Sequence, residues 1–287
     1  RWAMEFLVCI QRTGNMAELL FRMKEFFMLS HTYAICAYKD SPWLEECIRS
    51  LKRQSVPSEI ILCTSTPSKY IQAMAEIFGL PLYVRDGESD IQADWNFAYS
   101  KAKTRLVTIA HQDDCYHKNY GKYVQECWEQ YPDTTVFTTD CGILRNSDPV
   151  NPGMVQFVKH LLRVPLRFHG LADRTWIKRL PLILGNPIIC PSCTYDKEAL
   201  GEPLFDSPYK FALDWDTMWK LAERPGRFIC EEKPLISYRI HSGATTKECI
   251  ENHRRAQEEE AMFRKIWPEP VVRVIMWFYR KAYRAYQ

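Results

Sequence analysis

The stretch YAICAYKDSPWLEECIRSLKRQSVPSEIIL, residues 33 to 62, decides the fold. It passes from a short apolar run through a turn into a helical pattern and then into a second apolar run. The pattern predicts a strand over 32–38, a helix over 42–54 that begins at Pro42 with Ser41 as its cap, and a strand over 59–65. A strand, a helix and a strand in this order predict a βαβ unit and a parallel sheet.

The same alternation of helical patterns and apolar runs continues towards the C-terminus. Helical patterns and apolar runs predict further elements at 68–79 (helix, ending at Gly79), 80–85 (strand), 90–102 (helix), 105–110 (strand), 134–145 (strand), 155–164 (helix), 186–195 (strand), 214–223 (helix), 227–231 and 234–240 (a strand pair). We therefore predict an α/β fold with a Rossmann-like, mostly parallel central sheet that is flanked by helices.

Composition excludes some classes of protein. The 287 residues carry a net charge of +3, with 46% hydrophobic and 25% charged residues, so no basic field favours a nucleic-acid partner. The 11 cysteines are scattered and odd in number, which is typical of a reducing cytoplasm. Cys190-Pro-Ser-Cys193 has the spacing of half a zinc site, but no second half follows, so we interpret both thiols as core residues.

The two ends of the sequence differ from the middle. Residues 1–31 have a helical, partly amphipathic pattern without the ordered parts of a signal peptide, and no run of 18 apolar residues occurs anywhere. Residues 271–287 combine apolar and aromatic residues with Arg273, Arg280, Lys281 and Arg284. This segment could lie in a membrane interface, or it could pack on its own domain, and the second reading is slightly favoured.

Two adjacent carboxylates, Asp113 and Asp114, follow the apolar run 105–110. Open α/β sheets bind ligands outside the carboxyl ends of their strands, and Mg²⁺ or Mn²⁺ prefers carboxylate oxygens. The pair therefore indicates a cation site that leaves room for phosphate. An Asx turn capping a helix from Lys118 is the plainer alternative, and a zinc hydrolase site using His111, Asp113 and His117 is a weaker one.

Three further groups of residues could take part in a site. The turn AYKD, residues 37 to 40, precedes a helix and could meet a pyrophosphate, although neither a G-x-G-x-x-G nor a P-loop pattern is present. Asp214 stands at a helix start, where it could be an N-cap or a general base. Arg239 and His241 follow a strand, where they could meet phosphate or metal or simply be hydrogen-bonded.

Four blocks in order resemble the family 2 glycosyltransferases. They are residues 33–62, RDGESDIQADWNFAYSKAKTRLVTIAHQDD (85–114), FALDWDTMWKLAERPGR (211–227) and YRIHSGATT (238–246). The resemblance implies a GT-A fold and an inverting displacement at the anomeric carbon. It implies a nucleotide-sugar-binding half over 32–145 and an acceptor-binding half with the base over 146–246, with C-terminal amphipathic helices over 247–287 and the extension 1–31 in front.

The resemblance also implies roles for particular residues. Asp214 would be the general base that takes the proton of the acceptor hydroxyl, and Asp113 would bind the metal, Mn²⁺ or Mg²⁺, with His241 close to it. Asp114, Asp216 and Arg239 would support the site. The donor would be bound by Ala37, Tyr38, Asp40, Ser65, Asn96, His111 and Gln112.

This sequence departs from the family pattern at three places. His111 stands where the family has the first acid of its D-x-D motif, and Cys63-Thr64-Ser65-Thr66 replaces an acidic pair. Leu213-Asp214 keeps only the second acid of the base motif, and one carboxylate suffices for that role. A Gln-x-x-Arg-Trp run does not follow Asp214, which favours transfer of a single sugar over polymerisation.

The expected function follows from the resemblance. The protein would move one sugar from a UDP-, dTDP- or GDP-linked donor to a hydroxyl of a glycan or lipid-linked acceptor, in surface polysaccharide synthesis in a bacterium. It would act in the cytoplasm at the inner face of the membrane, with 271–287 as a peripheral contact. The alternatives are a sugar-phosphate nucleotidylyltransferase and a non-catalytic sugar-nucleotide or glycan-binding module. The oligomeric state stays open.

Overall fold

One sheet of nine strands dominates the part of the chain that the computed structural model describes, which is residues 31–145, 147–151, 153–241 and 254–285. The sheet and the helices around it confirm the predicted α/β class. The strands are β1 (His31–Ala37), β2 (Glu59–Thr64), β3 (Leu82–Val84), β4 (Leu106–His111), β5 (Cys115–Tyr116), β6 (Thr134–Arg145), β7 (Asp148–Val150), β8 (Thr194–Asp196) and β9 (Arg227–Ile240).

The order of the strands is β3-β2-β1-β4-β8-β6-β9-β5, and β7 pairs with β6. Strands β3, β2, β1 and β4 are parallel, as are β6 and β9, whereas β8 runs antiparallel to its two neighbours β4 and β6. This mixed but mostly parallel sheet is the GT-A arrangement. Strands from both sides of residue 146 belong to it, and the predicted division into two halves stays a prediction.

Helices cover both faces of the sheet and bury an apolar cluster on each. The α-helices are α1 (Leu44–Lys52), α2 (Lys69–Phe78), α3 (Ile91–Lys101), α4 (Tyr120–Gln130), α5 (Met154–Arg163), α6 (Thr175–Arg179), α7 (Lys197–Leu200), α8 (Leu213–Leu221), α9 (Arg254–Ile266) and α10 (Glu269–Ala285). Short 3₁₀ helices occupy Val164–Arg167, His169–Leu171, Leu180–Leu184 and Cys190–Ser192.

Helix ends with strong local signals lie where the sequence predicts them. The Ser68 hydroxyl accepts a hydrogen bond from the backbone N–H of Ile71, and Asp90 caps α3 in the same way through Ala93. Gly79 ends α2 with φ 60°, a left-handed conformation that favours glycine. Residue-level signals of this kind act within one turn, so they do not depend on the rest of the fold.

Three predicted elements were wrong in detail. The first helix begins at Leu44 rather than at Pro42, and Trp43 is its N-cap residue without a side-chain cap. Residues 186–195 form a 3₁₀ turn around Pro191 and only then the short strand β8, because Pro191 has no N–H to donate to a sheet. The predicted strand pair after residue 226 is the single strand β9, whose pairing with β6 shifts register opposite Thr139 and Asp140.

The C-terminal helix α10 packs on its own domain. Val272 and Met276 are buried in the main core, and the Tyr279 hydroxyl donates to the carbonyl of Leu184 at 2.6 Å. No helix within the described ranges is both long and apolar enough to cross a membrane. The predicted N-terminal extension, apart from His31, and the segment 242–253 lie outside the described residues.

Candidate functional site

The loops after β1 and β4 meet at the carboxyl edge of the sheet. These strands are parallel neighbours, with Cys36 opposite His111. Gln112 joins the loops, because its side-chain oxygen accepts from the N–H of Tyr38 at 3.0 Å and its amide donates to the Tyr38 carbonyl at 2.9 Å. The predicted donor residues Tyr38 and Gln112 therefore form one corner, in which Tyr38 is 46% exposed and the Lys39 ammonium lies 4.9 Å from the centre of its ring.

Asp113 lies beside that corner, between two polar groups. The Ser41 hydroxyl donates to Asp113 Oδ1 at 2.8 Å, and Asp113 Oδ2 lies 3.2 Å from His241 Nε2. Sequence reasoning gave Ser41 only a capping role and missed this contact, because the two residues are far apart in the chain. The structure thus brings together the two predicted metal-binding residues, Asp113 and His241, which come from the ends of β4 and β9.

Asp114 points away from Asp113 into the protein. It is 2% exposed, and its Oδ1 accepts a hydrogen bond from the backbone N–H of Arg239 at 2.9 Å. Burial raises the pKa of the Asp114 carboxyl to about 8. Neither Asp113 nor Asp114 bonds the first turn of α4, where no side-chain cap is present, so the Asx-turn reading is wrong.

The buried Arg239 guanidinium holds the loop that carries Asp113. Its Nε donates to the Asp113 carbonyl at 2.7 Å, it pairs with Glu46 at 2.7 Å, and it lies 4.3 Å from the ring centre of Trp43. A planar guanidinium can make these three contacts at once, whereas an ammonium cannot. Arg239 is thus placed to position the Asp113 loop.

Replacing Arg239 by lysine tests this role. We expect Arg239→Lys to lower the free energy of unfolding by about 1–3 kcal/mol, because the bond to the Asp113 carbonyl and the stacking on Trp43 are lost. Urea unfolding measures the change. Arg49→Lys is the matched control, since the exposed Arg49–Glu45 pair on α1 should contribute below about 0.5 kcal/mol. Equal stability losses in the two variants would contradict the positioning role.

His111 is stacked on an aromatic ring that the sequence did not single out. Its ring lies 5.0 Å from that of Trp95 at an interplanar angle of 28°, and Phe205 closes on Trp95 edge-on. Burial lowers the pKa of His111 to about 4, so the imidazole is neutral near pH 7. Its Nε2 is buried and has no hydrogen-bond partner within the described residues. A neutral ring thus stands where the family has an acid.

The other predicted donor residues lie around the same edge. Ala37 ends β1 and is buried, while Asp40 accepts a hydrogen bond from Ser68 at 2.5 Å. The Ser65 hydroxyl donates to Asp94 at 2.9 Å. Asn96 uses both ends of its amide on the backbone of Phe205, donating at 2.7 Å and accepting at 2.9 Å. Asn96 therefore ties α3 to the loop before α8, and its contact with a donor stays a prediction.

Asp214 is the second residue of α8 rather than its N-cap, which is Ala212. Burial raises the pKa of the Asp214 carboxyl to about 6, against the opposing effects of the Trp215 N–H, Lys159 and Asn186. A carboxylate with this pKa accepts a proton readily near neutral pH. Lys159 and Asn186 are two neighbours of the candidate base that the sequence pattern did not reveal.

Asp214 affects a buried thiol that also lies near β1. Burial raises the pKa of Cys190 most, and the charges of Asp214, Cys193 and Cys36 raise it further. That Asp214 shares one site with the Asp113 corner stays a prediction.

Asp216, in contrast, has a structural place. Its fully buried carboxylate accepts from Lys265 of α9 at 2.6 Å and lies 3.1 Å from Lys220. Burial by itself would raise the pKa of Asp216, but the hydrogen bonds with Lys265 and Lys220 hold it below its ordinary value. Asp216 therefore joins α8 to α9, and its predicted support of Asp214 stays a prediction.

The donor atoms at the Asp113 corner fit a divalent cation in part. Asp113 Oδ2 and His241 Nε2 converge, and Mn²⁺ accepts both carboxylate and imidazole ligands. A cluster of three or more His, Cys, Asp or Glu side chains that could hold a metal does not occur among the described residues. The remaining ligands would have to come from phosphate and water. The described residues give no support to a zinc hydrolase site or to a metal site at Cys190 and Cys193.

A curled, mostly parallel sheet with these groups at its carboxyl edge defines a protein of the GT-A fold. The chain belongs to glycosyl transferase family 2, since the model of that family, described as "Glycosyl transferase family 2", matches residues 32–175. No curated protein matches the sequence at a significant level.

Solved glycosyltransferase structures share the fold. S. aureus TarS 1-349, in complex with UDP-GlcNAc, is 16% identical, with a TM-score of 0.57 over 76% of this chain and 60% of that one. The mannosyltransferase PcManGT from Pyrobaculum calidifontis, in complex with GDP-Man and Mn²⁺, is 16% identical, with a TM-score of 0.54 over 85% of this chain and 67% of that one. The chain thus spans about 60% of the length of the TarS structure.

Proposed function

We propose that the protein transfers one sugar, with inversion, from a nucleoside diphosphate sugar to a hydroxyl of a glycan or lipid-linked acceptor. The observation that carries the proposal is the convergence of Asp113 and His241 at the carboxyl edge of the sheet. Membership of family 2 supports glycosyl transfer. Two neighbours of the same fold were solved with UDP-GlcNAc and with GDP-Man, which supports a nucleotide-sugar donor.

In the proposed reaction the chain's own residues divide the work. Tyr38 and Gln112 form the corner that receives the nucleotide, and the neutral His111 ring, stacked on Trp95, lies behind it. Asp214 accepts the proton of the acceptor hydroxyl while that oxygen attacks the anomeric carbon. Asp113 and His241 would hold Mn²⁺ or Mg²⁺, which when bound neutralises the charge of the departing diphosphate.

The biological setting belongs to the same proposal. A bacterial enzyme of surface polysaccharide synthesis that works in the cytoplasm, at the inner face of the membrane, fits a donor linked to UDP, dTDP or GDP. Residues 271–287 would supply a peripheral membrane contact. A nucleic-acid partner has no support in the net charge of +3.

Binding of the donor is the direct test of the proposed function. We expect one nucleoside diphosphate, or its sugar, to raise the unfolding temperature of the protein, and to raise it further with Mn²⁺, because ligands that bind only the folded state stabilise it. A thermal-shift screen over UDP, dTDP, GDP and their sugars, each with and without Mn²⁺, measures this. No shift with any of them would overturn the proposal.

The screen is completed by measuring donor hydrolysis. Slow release of nucleoside diphosphate in the presence of Mn²⁺ would separate a transferase from a sugar-nucleotide-binding module, which binds without cleavage. Release of nucleoside triphosphate from donor and pyrophosphate would instead indicate a nucleotidylyltransferase.

A further inference from the structure

Helix α5 has its polar side turned inward and its apolar side turned outward. Arg163 is fully buried and donates to the Pro187 carbonyl at 2.6 Å, and both Arg163 and His160 bond the carboxylate of Asp140. On the opposite side Met154 is 76% exposed and Phe157 is 56% exposed. The Asp140 contacts fix this orientation, since they anchor the polar side of the helix to β6.

We define the apolar face of α5 as the outward side chains of Met154, Val155, Phe157, Val158 and Leu161, all of which are exposed. A surface helix in water normally buries such a stripe against the core. The largest exposed apolar patch on an ordinary monomer covers only a few hundred Å². Helix α5 exposes five large apolar side chains within ten residues. Such a face indicates a surface that binds a partner.

The exposed apolar surface continues past the helix. Phe168, between the first two 3₁₀ helices, and Trp176, in α6, are each 61% exposed. Helix α5 packs against the first and third of the 3₁₀ helices. Leu184, in the third, is 45% exposed and receives the Tyr279 hydroxyl of α10. On α10 itself Val274, Trp277 and Phe278 are more than half exposed. Residues 164–184 therefore connect α5 to α10, and all three segments carry exposed apolar side chains.

The basic excess of this surface comes chiefly from α10. Residues 154–184 contain six Lys or Arg residues and one acidic residue, but Arg163 and Lys178 are buried, and Arg167 and Arg179 pair with Glu232 and Glu223. Helix α10 contains four basic residues and one acidic residue, Glu269, which lies 3.6 Å from the 78% exposed Arg273. Aromatic side chains, aliphatic side chains and this basic excess together match the boundary of a bilayer that contains anionic lipid.

We propose that the apolar face of α5, together with residues 164–184 and α10, docks on the surface of an anionic lipid bilayer. Docking of this surface would bring the acceptor side of the site close to the lipid. Lys159, on the inward side of α5, lies near enough to Asp214 to influence its pKa, and Asn186 does the same from the loop after residue 184. Insofar as the inference rests on the proposed function, the acceptor is a lipid-linked hydroxyl presented from the membrane.

Vesicle sedimentation of the full chain tests the docking. We expect binding to phosphatidylcholine vesicles that contain phosphatidylglycerol, weaker binding to phosphatidylcholine alone, and loss of binding at high salt. The double variant Phe157→Ser/Trp176→Ser should bind the anionic vesicles at least about tenfold more weakly, because two inserted rings are lost. Ile77→Ser is the matched control, since Ile77 is 67% exposed on α2 outside this surface, and it should bind like the parent.

Other outcomes overturn the proposal. Absence of vesicle binding by the parent protein, or unchanged binding by the double variant, would do so. A lipid-free dimer that the double variant converts to monomer would instead assign the surface to a second copy of the chain. The thermal shift produced by the nucleotide should be the same in the parent and in the double variant, so a failure of docking is distinguishable from a failure of donor binding.

Discussion

Asp214→Asn is expected to lose nearly all sugar transfer while it stays folded. Asparagine keeps the shape of the side chain but cannot accept the acceptor proton, and removal of a general base lowers the rate by about 10²–10⁴-fold. Release of nucleoside diphosphate in the presence of acceptor measures the rate. The thermal shift with the nucleotide should be retained, since the proposal assigns Asp214 to the acceptor and not to the donor. If this variant transferred sugar at the parent's rate, Asp214 would not be the general base.

The pKa of Asp214 gives the same experiment a second readout. Its folded-state pKa is raised to about 6 from the ordinary 3.8, and the base works only when ionised. The parent's rate should therefore rise as the pH passes through about 6 and level off above it. Folding disfavours the ionised form, so this group's effect on the free energy of unfolding becomes unfavourable as the pH rises from about 4 to about 6. Asp214→Asn should thus be no less stable than the parent at pH 8.

Asp216→Asn is the control within the same helix. Asp216 is fully buried and paired with Lys265 and Lys220, so its loss should lower the free energy of unfolding by about 1–3 kcal/mol. Transfer per folded molecule should stay close to that of the parent. Asp214 would then contribute to activity and Asp216 to stability, although the two acids are two residues apart. An equal loss of stability in both variants would mean that Asp214 is a structural acid as well.

The elements with local signals could be predicted from the sequence, whereas the elements defined by distant contacts could not. Ser68, Gly79 and Asp90 act on their own turns, and the structure confirms the helix end that Gly79 predicts. The run NPIICPSCTY looks like a strand because it is apolar and β-branched. Its burial comes from the core around Cys190 and Cys193, and Pro191 turns it into a 3₁₀ helix. An apolar pattern reports burial and does not by itself report conformation.

The same distinction applies to the site. The sequence marked Asp113, Asp214 and His241 because their neighbours match a family pattern, and the structure brings Asp113 and His241 together. The sequence alone contains no sign that Arg239 holds the Asp113 carbonyl or that Trp95 stacks on His111. Those contacts depend on packing between elements that are far apart in the chain. The inside-out orientation of α5 was hidden for a related reason, because periodicity shows that a helix has an apolar side and not where that side points.

Asp113→Asn is expected to have the second large effect, and on the donor rather than on the acceptor. The change removes the charge that Asp113 Oδ2 presents beside His241 while keeping a group that can accept from Ser41. If the pair holds the cation, the additional thermal shift that Mn²⁺ gives with the nucleotide should disappear. Transfer should fall by about 10²-fold or more, because charge stabilisation at the leaving group is lost.

Asp114→Asn provides the comparison that makes the Asp113 result specific. Burial raises the pKa of Asp114 to about 8, so this carboxyl is already largely neutral at pH 7, and an amide oxygen can still accept from the Arg239 N–H. Its Mn²⁺-dependent shift should persist, and its loss of transfer should stay within about tenfold, the effect of one adjusted hydrogen bond. If Asp114→Asn lost the Mn²⁺-dependent shift and Asp113→Asn kept it, the cation would have to be assigned to Asp114 instead of Asp113. Binding of the cation by Asp114 would also require this buried carboxylate to turn outward, which its hydrogen bond from the Arg239 backbone opposes.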